Sequence, residues 1–265
     1  MYYCSIGAIF KNESHIIKEW IKYYLSQGVE HFYLIDNGSS DNYIEEIKEY
    51  ELYIDLFIDS KKNAQNELYT KYILPKSKEE TTWLGIFDLD EFTYNKNGYK
   101  ICDILKIHFN ENVNQIWCPW AIFGSNNHIV QPDSVIHGFI KRTKINGPQG
   151  KCFFKPQFVS GILAHGANIS IENEILCYSN KEIIKRKNFD YKLCQEENIN
   201  DYLLIVNHYM FQSLDFYTNI KCTRGDAWGQ QNNNRKPNDV KNHDAHCNII
   251  DNKLSELVIL SNINI

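Results

Sequence analysis

No apolar run in this chain approaches the length of a membrane span, and the start, Met1-Tyr2-Tyr3-Cys4, carries no basic region ahead of its first strand-like segment. The expectation is a cytoplasmic protein with no transmembrane segment, leaving room for peripheral association with a membrane. Basic residues are scattered apart from short runs such as Lys185-Arg186-Lys187, and the net charge is −5. A nucleic-acid surface needs a concentrated basic footprint, so no nucleic-acid partner is expected. The eight cysteines include no CxxC pair, and a disulfide framework belongs to small secreted domains rather than to a chain of 265 residues. Reduced, mostly buried thiols fit better. The glycine-rich GxGxxG and P-loop fingerprints are missing, which disfavours a nicotinamide dehydrogenase or a P-loop kinase.

What is present is an ordinary globular composition, 43% hydrophobic and 23% charged, with an excess of aromatics at 14% and seventeen tyrosines. Tyrosine joins an apolar ring to a hydrogen-bonding tip, so the excess serves core filling or a ring-shaped polar ligand. In chain order, Tyr3 to Phe10 reads as a strand. Ile16, Ile17, Trp20, Ile21, Tyr24 and Leu25 then follow at helical spacing, between Ser14 as N-cap and Gly28 as stop. A second strand, His31 to Ile35, leads to the turn Asp36-Asn37-Gly38-Ser39, with Ser39 or Asp41 capping a helix that carries Ile44 and Ile47. A strand over Ile54 to Ile58, a helix around Ala64 to Leu74 and a strand from Trp83 complete a β-α-β-α-β-α-β order. Such alternation gives a parallel, right-handed sheet.

Beyond Phe92 the pattern turns more β-rich and looped. A helix over Ile101 to Phe109 precedes Gln115 to Trp120, and strand-like runs follow at Val135 to Ile140, Cys152 to Val159, Ile175 to Tyr178 and Tyr202 to Asn207. The tail reads as a helix through Leu214 to Ile220, a mobile Asn-rich loop from Gln230 to His246 and a short helix over Leu254 to Leu260.

The segment with the clearest chemistry is Trp83 to Phe92, an apolar run that stops on Asp88-Leu89-Asp90-Glu91. Two carboxylates at i, i+2 on a strand end can turn toward one hard cation, and that cation can bridge phosphate oxygens. Asp36, at the end of an earlier strand, can face the same cleft and accept hydrogen bonds from a ribose or base. His165 and His208 each end an apolar run, and imidazole can complete an oxygen-rich Mn²⁺ site. Lys221 and Arg224 follow a helix, where cations commonly only complement its dipole; if this segment folds over the cleft, Arg224 could hold a phosphate bidentately. Haloacid-dehalogenase-like phosphatases also set Asp-x-Asp after an apolar strand, with the first acid (here Asp88) as nucleophile. That fold puts the strand first, whereas here three strand-helix units precede it. A non-catalytic nucleotide- or carbohydrate-binding module is the other alternative.

Taken in order, the following pieces resemble glycosyltransferase family 92 and its GT-A-type, family 2-like relatives. They are Lys11-Asn12-Glu13 with Glu19-Trp20 and Tyr23-Tyr24; Gly28 to Tyr33 with Asp36 to Asp41; Gln65-Asn66; Trp83 to Phe92; Trp120 with Phe123-Gly124-Ser125; Lys155-Pro156 with His165; and Asn207-His208-Tyr209, Ser213, Phe216, Lys221 and Arg224-Gly225. The resemblance implies an α/β, GT-A-type (Rossmann-like) mostly parallel central sheet flanked by helices, in one domain over 1–265. Within it, 1–92 would be the nucleotide-sugar-binding half, 93–229 the acceptor-side half, and 230–265 a C-terminal loop and short helix.

It also implies an inverting transferase moving a sugar, galactose favoured, from a UDP-sugar to a glycan or glycolipid hydroxyl, with Mn²⁺ or Mg²⁺. On that reading Asp88, Asp90, His208 and His165 are the metal ligands. Asn12, Glu13, Asp36, Gln65, Asn66, Asp88, Lys155, Lys221 and Arg224 hold the donor, and Trp120 and Ser125 meet the acceptor. Asp226, then Asp133, is the catalytic base. The eukaryotic members carry an N-terminal membrane anchor, which is not expected in this chain. Phe123-Gly124-Ser125-Asn126-Asn127 lacks a second glycine that the family pattern would put at that turn.

Overall fold

The computed structural model describes residues 1–109, 112–170, 174–184, 194–224 and 235–263. The first half forms as its periodicity predicts: β1 (Tyr2–Phe10), α1 (Ser14–Ser26), β2 (His31–Asp36), α2 (Tyr43–Ile47), β3 (Ile54–Ile58), α3 (Gln65–Leu68), a π-helical turn (Tyr69–Ile73), α4 (Leu74–Glu80) and β4 (Thr81–Ile86). β1 pairs in parallel with β2 and β4, and β2 with β3, in the order β3-β2-β1-β4. The carboxyl ends of β1, β2 and β4 therefore open on one side. Both faces of β1 and β2 are covered, which is why these strands read as unbroken apolar runs.

The second half continues the same sheet. β5 (Glu91–Tyr94), α5 (Ile101–His108), β6 (Val113–Ile122), α6 (Val135–Gly138), β7 (Lys141–Arg142), β8 (Asn146–Gly147) and β9 (Gly150–Phe154) come first. They are followed by β10 (Val159–Leu163), β11 (Gly166–Ile169), β12 (Ile175–Tyr178), β13 (Cys194–Gln195) and β14 (Ile205–His208). β9 joins antiparallel to β4 and β6; β14 lies parallel to β6 and antiparallel to β5. The tail is helical: α7 (Leu214–Phe216), a π turn and α8 (Cys222–Arg224), then α9 (Asn238–Asp244), β15 (Ile249–Ile250) and α10 (Lys253–Leu260).

Five expectations need correction, the first being Ser14, which is the first residue of α1 rather than its N-cap. Val135 to Ile140 starts as a helix, because the Ser134 side chain and the Glu19 carboxylate satisfy its first amides. Cys152 to Val159 breaks at Pro156, which opens a 3₁₀ turn between β9 and β10. Within Gln230 to His246, residues 230–234 lie outside the described residues, and Asn238–Asp244 is helical with Val240 packed against Phe211 and Tyr217. A single buried valine among asparagines is a faint signal. Neither Ser39 nor Asp41 caps α2; Asp41 Oδ2 instead accepts from Ser14 N–H at 2.8 Å and so caps α1. Gly28 does end α1, at φ +86°, a conformation that favours glycine.

Candidate active site

The acid-bearing turn after β4 is anchored by its main chain. Trp20 Nε1–H donates to the carbonyls of Asp88 (3.1 Å) and Glu91 (3.2 Å), and Tyr24 OH donates to Glu91 O at 3.0 Å. Tyr23 OH reaches Thr93 O at 2.7 Å. Part of the aromatic excess thus holds this turn against α1. Glu91 curls back, its Oε2 accepting from Asp88 N–H at 2.9 Å, so the third acid orients the turn.

The two aspartates face different partners. Asp90 is buried; its Oδ1 lies 3.5 Å from His208 Nε2 and its Oδ2 accepts from the Lys221 ammonium. Burial pushes its carboxyl up, but Lys221 and His208 outweigh that and hold it well below the usual carboxylate range. Asp88 is about one-third exposed, and its Oδ2 accepts from Lys151 Nζ at 3.1 Å. Lys151, wholly buried, also lies 3.3 Å from Glu91 Oε2 and donates to Ala164 O at 2.9 Å. Burial opposes its charge, yet Asp88 and Glu91 raise its pKa above the lysine norm. Burial pushes the Glu91 carboxyl well above its ordinary value, against the pull of Lys151.

β14 brings His208 opposite Glu91, in register across from β5. Its ring lies 4.4 Å from that of Trp120, whose indole also touches His165 at 5.1 Å. Glu91 Oε1, His208 Nδ1 and Trp120 Nε1 are all buried without hydrogen-bond partners, and the first two are 3.9 Å apart. Orphaned polar atoms converging on one wall are what a polar ligand would satisfy. On the β1 side, Arg224 donates to Lys11 O at 2.6 Å and lies 3.2 Å from Glu13 Oε1. Burial raises the Glu13 carboxyl; Arg224 opposes this.

Against this geometry a model of glycosyltransferase family 92 matches residues 1–256. The chain belongs to glycosyltransferase family 92. It is 24% identical over 244 residues to a family 92 protein of Ricinus communis, covering 86% of this chain and 40% of that protein. A second, from Oryza sativa subsp. japonica, is 21% identical over 222 residues, covering 78% and 33%. The chain therefore spans less than half the length of these relatives. The structure of S. aureus TarS 1–349 in complex with UDP aligns over 59% of this chain and 47% of that one, at 12% identity and a TM-score of 0.38.

In this family 92 chain the structure brings together Asp88, Asp90, His208, Lys221, Arg224, Glu13 and Trp120 of the residues named from sequence. Others have local partners. Asp36 accepts from Ser39 N–H (2.7 Å) and Tyr43 OH (3.2 Å). Asn12, at φ +54°, ties the β1 end to the β2 turn through Ser40 N–H at 2.7 Å. Gln65 donates to Tyr69 OH at 3.1 Å, and Asn66 Oδ1 accepts from Ala164 N–H at 2.8 Å, beside His165.

Lys155 Nζ sits 5.0 Å over the Trp83 ring. His165 Nδ1 lies 3.1 Å from Gly150 O, and burial, then Lys151, lowers its pKa. Ser125 N–H donates to Asp244 at 2.7 Å. Asp133 is exposed ahead of α6, and Asp226 lies outside the described residues. Sequence reading missed Lys151, whose signal was a lone charge at the head of the buried run Cys152-Phe153-Phe154. The phosphatase alternative finds no support in the family match.

The metal implied by the family fits in part. Asp90 Oδ1 and His208 Nε2 have the separation of two ligands on one divalent ion, whereas Asp88 is engaged by Lys151 and would have to turn to join them. Among the described residues, no helix is long and apolar enough to cross a membrane.

Proposed function

We propose that this chain transfers a sugar, galactose favoured, from a UDP-sugar to a hydroxyl of a glycan or glycolipid with inversion. The observation that carries the reading is Asp90 set between His208 and Lys221 at the carboxyl end of the sheet, with Arg224 beside the end of β1. Open α/β sheets bind ligands at this edge, and the family assignment supports a sugar donor as that ligand. Asp90 and His208, joined by Asp88, would hold Mn²⁺ or Mg²⁺. Such an ion neutralises charge on a departing diphosphate.

Lys221 and Arg224 add cationic donors to the same leaving group, Arg224 through a fork suited to phosphate oxygens. The orphaned Trp120 indole N–H and the face of its ring suit a sugar hydroxyl and a sugar face. Asp226, two residues past Arg224, is the favoured base for the acceptor hydroxyl, with Asp133 as second choice.

Calorimetry tests this reading. Mn²⁺ should enhance UDP binding, and Asp90→Asn should remove the enhancement; a variant that binds UDP in Mn²⁺ as the parent does refutes the metal role. A hydrolysis screen of UDP-galactose, UDP-glucose and UDP-N-acetylhexosamines then reads the donor. UDP binding that persists without Mn²⁺, with no donor hydrolysis at long incubation, would instead mark a non-catalytic binding module.

A further inference from the structure

The opposite, amino-terminal edge of the same sheet carries a second cluster. His31 opens β2, Asp55 lies near the start of β3, and Glu80 ends α4 directly before β4. From the length of β2 this edge is about 17 Å from the Asp36 end. Each of the three residues offers one ligand atom within 4.8 Å of the others.

The histidine is the informative member. Its side chain is 7% exposed, and neither ring nitrogen has a hydrogen-bond partner. Nε2 lies 3.3 Å from Asp55 Oδ2 without hydrogen-bond geometry. With the Asp55 ion-pair contact and no well-formed hydrogen bond at either nitrogen, the buried ring is under-satisfied, and a cation taking its lone pair would relieve this.

The surroundings hold this ring still. Tyr2 stacks on it at 4.4 Å with planes 3° apart, and Tyr33 meets it edge-on at 4.9 Å. Tyr33 OH also donates to Glu80 Oε1 at 2.9 Å, orienting the second carboxylate. Outer contacts of this kind fix the direction of metal ligands. Ligand atoms on a tetrahedral Zn²⁺ sit about 3.4 Å apart, close to the spacing of the His31–Asp55 pair, and the Glu80 carboxylate lies within 4.8 Å of both. One competitor is present: Lys76 Nζ is 2.7 Å from Asp55 Oδ2, but its side chain is 48% exposed and can withdraw into water.

We infer that His31, Asp55 and Glu80 form a divalent-cation site, separate from the candidate active site, that takes Zn²⁺ and clamps β2, β3 and the α4–β4 junction together. One imidazole nitrogen with two carboxylates, and water in the fourth position, is a donor set that suits zinc. The inference stands independently of the proposed transferase activity.

Equilibrium dialysis of chelator-stripped, reduced protein against Zn²⁺ alone, with metal counted per chain and melting followed in parallel, tests it. The Asp88→Asn/Asp90→Asn background removes the acids of the other site. That background should still hold one zinc per chain and melt higher with zinc. Adding His31→Gln should abolish both effects, and Asp55→Asn carries the same comparison if the histidine variant fails to fold. Zinc retained at one per chain in either added variant overturns the site, as does a background protein that binds no zinc.

Discussion

Replacing Lys151 with methionine keeps an unbranched chain of similar volume and removes one buried ammonium. Of the two carboxylates left behind, Asp88 is about one-third exposed and can turn to water, whereas Glu91 is 0% exposed and cannot. Removing one partner of a buried pair costs about 3–5 kcal/mol, here concentrated on Glu91. Protonation offers Glu91 an escape, and that gives the variant a signature. Burial already lifts this carboxyl well above its ordinary value, and losing Lys151 lifts it further.

A carboxyl whose folded-state pKa is raised contributes stability that is fully present below its unfolded value and lost as pH rises toward the folded value. The loss is about 1.4 kcal/mol per pH unit while one proton is held. Urea unfolding of Lys151→Met and the parent at pH 5 and pH 8 should therefore show a destabilisation that is larger at pH 8. Adding Glu91→Gln should recover most of the loss at pH 8. Equal destabilisation at both pH values, or no recovery in the double variant, refutes the view that Lys151 stabilises the protein by meeting these buried acids.

Glu19→Ala removes the carboxylate that accepts from Ser134 Oγ at 2.7 Å, Val135 N–H at 2.8 Å and Ile136 N–H at 3.1 Å; a loss of about 2–4 kcal/mol on urea titration and faster hydrogen exchange at Val135 and Ile136 are expected. Hydrogen bonding to Arg142 lowers the pKa of Glu196, so its contribution is present above its unfolded value near 4.5 and lost as pH falls through the folded value. Glu196→Gln should accordingly flatten the acid limb of a stability–pH profile, and an unchanged limb counts against the pairing. Trp20→Phe keeps the ring packing but removes the indole N–H from the Asp88 and Glu91 carbonyls; it should cost about 1–3 kcal/mol by urea unfolding, and parent-like stability would contradict that role.

The parallel first half was legible because each of its elements declares a period, and Asp88 and Asp90 were legible because an apolar strand ends on them. What sequence could not show is where side chains turn. Asp36 reads as a free carboxylate, yet its two oxygens close the turn through Ser39 and Tyr43. Lys151 looks like a loop residue after Gly150 until the antiparallel pairing of β9 with β4 carries it under Asp88. His208 and Lys221 were named from sequence, but their approach to the same carboxylate depends on β14 lying beside β5 and on the helical tail folding back, contacts between residues more than a hundred apart. Val135 to Gly138 turned helical for a similar reason, since besides its local N-cap Ser134 its first amides are met by Glu19, far upstream.

The hydrogen bonds from Trp20 and Tyr24 of helix α1 to Asp88 and Glu91, at the turn between β4 and β5, end on carbonyl oxygens. Carbonyls are common to all twenty residue types, so these hydrogen bonds are indifferent to whether the residue at 88 or 90 is an aspartate. The scaffold and the reactive groups it presents are thereby separable: exchanging Asp88 or Asp90 changes what is offered to a ligand while leaving the loop's path to α1. A helix thirteen residues long serves as a jig that would accept a different tool in the same position.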